Sequence, residues 1–247
     1  VRRIAAIPGI RDLAMTTNGM LLESLAAPLA EAGLSRLNVS LDTLDPAKFR
    51  RITRGGQVGR VLAGVERAEA AGLVPIKVNT VVVRGFNDED VTALAALSVD
   101  RPWEVRFIEV MPFGKVADVA DAGIVTSEEI RARIEAALGR MEPVDLSGDS
   151  PARTYRLPRA AGTVGLISPV SEPFCARCGR IRLTADGKLR LCLLRDDEED
   201  LLTPIRKGVS RDEMKTLFAA AAYRRPFGHA LAERLYPENR VMIQIGG

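Results

Sequence analysis

Aromatic residues are scarce in this chain: Phe, Tyr and Trp make up only 4% of its 247 residues. Its core must therefore be built mainly from Leu, Val, Ile and Ala, and a hydrophobic share of 47% is enough for a sizeable one. Histidine is rarer still; His229 stands alone, which excludes a metal site made of several imidazoles. No apolar run reaches the roughly 18 residues of a membrane helix, and no signal peptide is visible. Three cysteines are an odd count and argue against a secreted disulfide scaffold, so the expected compartment is the cytoplasm. A net charge of +3 is too small for a general nucleic-acid binder. The chain opens on Val1, and VRRIAAI reads as the middle of a helix; the expectation is that the natural N-terminus lies upstream.

What the chain does have is concentrated in one stretch, FCARCGRIRLTADGKLRLCLL. It holds Cys175, Cys178 and Cys192 in a C-x2-C-x13-C spacing, with five Lys or Arg against one Asp between the first and the last. Two thiolates on a tight loop, with a third returning on a nearby strand, can grip one metal centre. Asp186-Gly187 predicts the hairpin turn that brings Cys192 back. Treating the three as small buried hydrophobes explains neither their spacing nor their clustering. The spacing leaves two metals open. Zinc would take His229, 37 residues beyond Cys192, as a fourth ligand. A four-iron cube on three thiolates would leave one iron open beside the arginines, where a substrate carrying phosphates could sit.

The first half has a strand–helix rhythm. Strands are predicted over Leu13 to Gly19, Leu37 to Asp42, Ile76 to Val83 and Val105 to Met111. Between them the apolar period becomes helical: Leu22, Leu25, Leu29 and Ala32 before Gly33, and Val61, Val65 and Ala68 before Gly72. Asn87 with Asp90 is expected to cap a helix carrying Val91, Leu94 and Leu97. This order implies a parallel sheet with right-handed crossovers.

The strands carry a polar stripe: Thr16 and Asn18; Asn38, Ser40 and Asp42; Lys77 and Asn79; Glu109 and Met111. A sheet covered by helices on both sides would be apolar on both faces. A polar face on successive strands fits a barrel lumen that binds ligand. Lys77 is costly to bury without an anion; Asp42, Glu109 or a bound ligand are the candidates, unless it snorkels at the strand end.

From about Phe113 the texture changes to polar spacers and short strand-like runs. TSEEIRARIEAAL, Thr126 to Leu138, reads as an amphipathic helix capped by Thr126 or Ser127. DDEED, Asp196 to Asp200, reads as a solvated loop. RGG at Arg54 to Gly56 lacks the G-K-[ST] of a phosphate loop. The expected domains are 1–114 and 115–247.

The cysteine block, with TTNG, NVSLDTLDP, KVNTVVVRGFND and RFIEVMP upstream, resembles the radical S-adenosylmethionine family of GTP 3′,8-cyclases in molybdenum cofactor biosynthesis, over essentially the whole chain. The resemblance implies an α/β fold: an incomplete (βα)6-type partial TIM barrel followed by an α+β cluster-binding lobe. In that family S-adenosylmethionine is cleaved at an N-terminal [4Fe–4S] cluster to a 5′-deoxyadenosyl radical. The radical takes hydrogen from C3′ of GTP, and C3′ then attacks C8, giving 3′,8-cyclo-7,8-dihydro-GTP. Carried over residue by residue, Cys175, Cys178 and Cys192 would hold a second [4Fe–4S] cluster. Thr16, Lys77, Arg180, Ile181 and Arg182 would contact GTP. Ser40 and Met111 would contact S-adenosylmethionine, and Gly246-Gly247 matches the family's double-glycine tail. An electron donor, cyclic pyranopterin monophosphate synthase as the next enzyme, and a homodimer are the implied partners. The family's first motif, C-x3-C-x2-C, does not occur in these 247 residues. Two other function classes stay in play: a zinc-stabilised nucleotide-binding module, and a scaffold of the same fold without catalysis.

Overall fold

The computed structural model describes residues 1–112, 123–145, 150–231 and 236–245. The chain divides into two compact units: Val1–Val110 with Val125–Ser168, and Met111–Ile124 with Pro169–Gly247. The division differs from a single boundary after residue 114, because residues 125–168 return to the first unit. A return of this kind is set by sheet pairing far along the chain, which local composition does not report.

In the first unit, β1 (Ala14–Thr17), β2 (Arg36–Ser40), β3 (Ile76–Val82), β4 (Glu104–Glu109) and β7 (Thr163–Ile167) run parallel in that order. β6 (Arg153–Arg156) and β5 (Glu142–Pro143) extend the sheet antiparallel. The helices are α1 (Arg2–Ala5), α2 (Leu22–Glu31), α3 (Pro46–Thr53), α4 (Val58–Ala70), α5 (Val91–Asp100) and α6 (Ser127–Leu138). This mixed α/β fold with a mostly parallel sheet agrees with the expected barrel class.

One sheet face is the core. Leu37, Val39, Ile76, Val78, Val105, Phe107, Val164 and Leu166 alternate inward and meet Val61, Val65 and Ala68 of α4 and Leu94 of α5. Each fully buried Val or Leu contributes about 1.5–3 kcal/mol. On α2 the buried positions are Leu22 and Ala26, while Leu25 is 42% exposed, so the stripe is rotated from the one expected. Gly33 has φ +91, the left-handed turn expected just past that helix.

Two caps were expected, and one formed. The Thr126 hydroxyl accepts the Glu129 N–H at 3.2 Å, opening α6. Thr126→Ala should lower stability by about 1 kcal/mol in urea unfolding, the usual loss for such a cap. Asp90 precedes α5 but makes no cap bond there. Its carboxylate accepts from the Thr43 hydroxyl at 2.7 Å and Lys48 Nζ at 2.9 Å. Asn87 is wholly buried; it accepts the Val83 N–H and donates to the Asp42 and Val81 carbonyls. Its partners therefore fasten the loops after β2 and β3 rather than a helix end.

In the second unit, β8 (Arg182–Leu183), β9 (Lys188–Arg190) and β10 (Glu198–Asp200) form an antiparallel sheet. The β8–β9 turn carries Gly187 at φ +77, as Asp186-Gly187 predicts. α7 (Leu202–Arg206) and α8 (Arg211–Tyr223) follow, the second opened by a Ser210–Glu213 capping box. Leu189, Leu191 and Leu201 pack on Ala221 of α8. A separate cluster gathers Leu194, Leu231 and Ile245 with Met111, Cys192, Tyr236 and Met242.

Candidate functional site

The polar stripe exists, and the strand register shows how it is made. Thr16 lies opposite Asn38, Asn38 opposite Lys77, and Lys77 opposite Glu104. One step along, Ser40 lies opposite Asn79, and Asn79 opposite Arg106. Side chains alternate strictly along a strand, so both rows share the face away from the apolar core. Thr16, Ser40 and Lys77 therefore fall together in the first unit, as expected.

Glu109 and Met111 do not belong to that stripe. Glu109 pairs with Val82 on the core-facing side, is fully buried, and accepts the Ser127 N–H at 2.9 Å. Met111 lies beyond the strand and belongs to the second unit. The acid facing Lys77 is Glu104, at 3.5 Å, rather than Asp42 or Glu109. β4 starts at Glu104, one residue ahead of the predicted Val105, and its polar face carries Glu104 and Arg106 rather than Glu109 and Met111.

Glu104 is shared. It also holds Arg106 through two bonds, at 2.8 and 3.0 Å. Gly165 on β7 leaves room for this pair, since a Cβ there would stand 3.0 Å from Arg106 Cγ and 3.2 Å from Glu104 Oε1. One carboxylate thus faces two cations, and the row keeps a positive charge. Burial lowers the Lys77 pKa below the ordinary lysine range; Arg106 pushes the same way and Glu104 opposes. Asn38 Oδ1 and Asn79 Oδ1 are buried with no hydrogen-bond donor among the described residues. Buried acceptors without a donor cost about 1–3 kcal/mol each, so the face is built to meet something polar.

The second unit carries the cysteines. Cys175–Arg177 is a single 3-10 turn, and the Cys178 N–H donates to the Cys175 carbonyl at 3.2 Å. Cys192 lies two residues beyond the end of β9. All three thiols are free and part-buried. Burial pushes the Cys192 thiol up; Cys175 and Cys178 are close enough to push it further, while Arg195 opposes. Arg182 in turn feels Cys178 and Cys192. The β8–β9 hairpin reverses the chain between Cys178 and Cys192. Among the described residues, no three His, Cys, Asp or Glu side chains converge on the position of a single ion. Ligands of one zinc at about 2.3 Å must stand within about 4 Å of each other, whereas thiolates on different irons of a cube stand farther apart.

His229 is not poised as a fourth ligand. Its Nε2 stands 2.9 Å from the Pro169 carbonyl, and its Nδ1 accepts the Leu231 N–H at 3.3 Å. Both ring nitrogens are engaged with backbone, which removes the zinc reading's donor.

Around the cysteines the arginines divide by role. Arg180 lies over the Phe174 ring at 5.3 Å, and Ile181 is 38% exposed. Burial lowers the Arg182 pKa, with Arg180 adding like charge, and no carboxylate pairs with Arg182 among the described residues. Arg190 is different: wholly buried, it bonds Glu198 at 3.0 Å, Asp196 at 3.3 Å and the Leu193 carbonyl at 3.2 Å. The acids 196–200 are therefore not a solvated loop. Asp196 and Glu198 neutralise Arg190, Glu199 pairs with Arg224, and residues 198–200 form β10. Gly246 and Gly247 lie outside the described residues.

Comparison with known proteins then decides the family. Residues 1–97 match the model described as Radical SAM superfamily, and residues 103–231 the one described as Molybdenum Cofactor Synthesis C. A GTP 3′,8-cyclase of Pelotomaculum thermopropionicum is 47% identical over 248 residues, covering 100% of this chain and 76% of that protein. That of Moorella thermoacetica is 46% identical with the same coverage. That of Gloeobacter violaceus is 44% identical over 251 residues, covering 100% of this chain and 77% of the relative. The chain belongs to the GTP 3′,8-cyclase family. The two family models meet between residues 97 and 103, just ahead of β4. Both sets of expected residues, stripe and cysteines, fall within matched segments.

Proposed function

We propose that this chain acts as a radical S-adenosylmethionine-dependent GTP 3′,8-cyclase of molybdenum cofactor biosynthesis. The observation that carries the residue assignments is Arg182: a half-buried guanidinium with no partner carboxylate among the described residues, on a hairpin flanked in sequence by the free cysteines Cys178 and Cys192. Cys175, Cys178 and Cys192 suit a cluster by the chemistry of their donors, three soft thiols in a C-x2-C-x13-C spacing. A [4Fe–4S] cluster bound there supplies an iron without a protein thiolate, a Lewis-acid position for a purine.

The chain's own residues do the rest. Arg180 and Arg182 suit a triphosphate through bidentate charge-assisted bonds. Ile181 lies between them in sequence and offers an exposed apolar contact. Lys77 supplies the positive charge that Glu104 leaves uncompensated, and Thr16 stands in the same row with a hydroxyl to donate. Ser40 and Met111 are assigned to S-adenosylmethionine. Asn38 and Asn79 offer buried acceptors beside Thr16, Ser40 and Lys77, which supports a ligand rich in hydroxyl and amino donors. Contacts of this kind restrict the orientation of a bound nucleotide, and orientation is the main contribution such a protein makes to rate.

Anaerobic reconstitution of the chain with iron and sulfide tests this. A brown, air-sensitive protein that binds GTP is expected, with Cys192→Ser losing the iron held by the hairpin. Colourless protein carrying stoichiometric zinc, or no measurable GTP affinity, overturns the reading.

A further inference from the structure

Arg240 sits outside every residue assigned above, yet its guanidinium makes three bonds to carboxylates of the second unit. Its Nε donates to Glu198 at 2.6 Å, and its Nη2 donates to Glu198 and to Asp186, both at 2.8 Å. Asp186 is in the β8–β9 turn and Glu198 on β10, so one side chain clasps two parts of the cysteine hairpin sheet. A second clasp lies just before it. Asp196 accepts the Glu238 N–H at 2.9 Å and the Asn239 N–H at 3.4 Å. Glu198 and Asp196 are also the two acids that hold buried Arg190. Arg190 stands opposite Arg182 in the β8–β9 register and bonds the carbonyl of Leu193, the residue after Cys192. Downstream of Arg240, Ile245 is 3% exposed and packs in the apolar cluster that contains Cys192.

We propose that Arg240 is a positioning residue: it latches residues 238–245 onto the cysteine hairpin and, through Glu198, the acid it shares with Arg190, holds Arg182 and Cys192 in place. Charge favours a latch over a passive strut. Two arginines share Glu198 and are further flanked by Asp186 and Asp196, so Arg240 neutralises acids that Arg190 alone would leave in excess. Its loss leaves the bonds of Arg190 to Glu198, Asp196 and the Leu193 carbonyl intact, so the hairpin should stay folded while the segment beyond it loosens. The effect on GTP rests on the function proposed above; the effect on the segment does not.

The experiment compares Arg240→Ala and Arg240→Lys with the natural chain, reconstituted anaerobically. It reads hydrogen exchange at the Gln244 and Ile245 amides, iron content, thermal midpoint, GTP Kd, and the electron paramagnetic resonance change on adding GTP to the reduced protein. Arg240→Ala should speed exchange at both amides at least tenfold and raise the GTP Kd at least tenfold, with a weakened spectral change. Iron content should hold, the midpoint should move by only a few degrees, and Lys should restore much of the loss. Unchanged exchange and Kd in Arg240→Ala overturn the latch. So does a parallel loss of iron and of thermal midpoint that Lys fails to restore, which marks a general structural role. Should the natural chain itself bind neither iron nor GTP, the functional reading falls, and the exchange comparison still decides whether Arg240 holds the segment.

Discussion

Glu198→Ala should destabilise the second unit by about 3–5 kcal/mol, the usual result of removing one partner from a buried ion pair. Arg190 has no exposed side-chain surface and Glu198 only 12%. Without Glu198 the Arg190 guanidinium keeps one carboxylate, Asp196 at 3.3 Å, and one carbonyl. Its Nε already lacks an acceptor among the described residues. A charge left this deep cannot recover its hydration. Urea unfolding of the natural and variant chains measures the difference, and a loss under 1 kcal/mol would show that the pair carries little. Glu198→Gln should cost less, because the amide oxygen can still accept.

The same carboxylate sets a pH dependence. Its bond to Arg240 first, and that to Arg190 second, hold the Glu198 carboxyl below the usual carboxylate range. A depressed folded-state pKa gives stability that is full above the unfolded value, about 4.3. That stability is lost as pH falls through the folded value. The natural chain should therefore lose this contribution only below about pH 4. Glu198→Gln should flatten that part of the stability–pH curve.

Arg182→Ala should weaken GTP binding by about 1.5–3 kcal/mol, the range for hydrogen bonds to charged groups. That corresponds to roughly a 10–150-fold rise in Kd. Arg182 is half-buried and opposite Arg190 in the β8–β9 register, and burial and Arg180 both depress its pKa. Two like charges and a desolvated guanidinium are unfavourable in the ligand-free chain, and an anion relieves both. Arg182→Met should accordingly leave the ligand-free chain as stable as before or more so, while its GTP affinity falls. Arg182→Lys should recover only part of the affinity, since the planar fork is lost. Calorimetric titration with GTP under anaerobic conditions measures each. Unchanged affinity in both Arg180→Ala and Arg182→Ala would mean that the triphosphate lies elsewhere.

The legibility of this site depended on distance along the chain. Thr16, Ser40 and Lys77 share a face because alternation within each strand is a local pattern, readable residue by residue. On β4 the polar face is Glu104 and Arg106, not the expected Glu109 and Met111, because buried Glu109 is a polar residue on the core side and breaks the alternation signal. Asp90 offered a cap by spacing, but Thr43 and Lys48, from a different loop, took its carboxylate.

By itself, the order of residues determined the strand–helix rhythm, the polar face of the first three strands, the Asp186-Gly187 hairpin and the cysteine spacing. All of these are periodicities or turn chemistries confined to a few consecutive residues. Only the tertiary structure decided that residues 125–168 rejoin the first sheet, that Glu104 serves both Lys77 and Arg106, and that the acids 196–200 neutralise Arg190 and Arg240. Those outcomes depend on which charges and edges meet across tens of residues, where burial makes pairing obligatory and no local pattern names the partner.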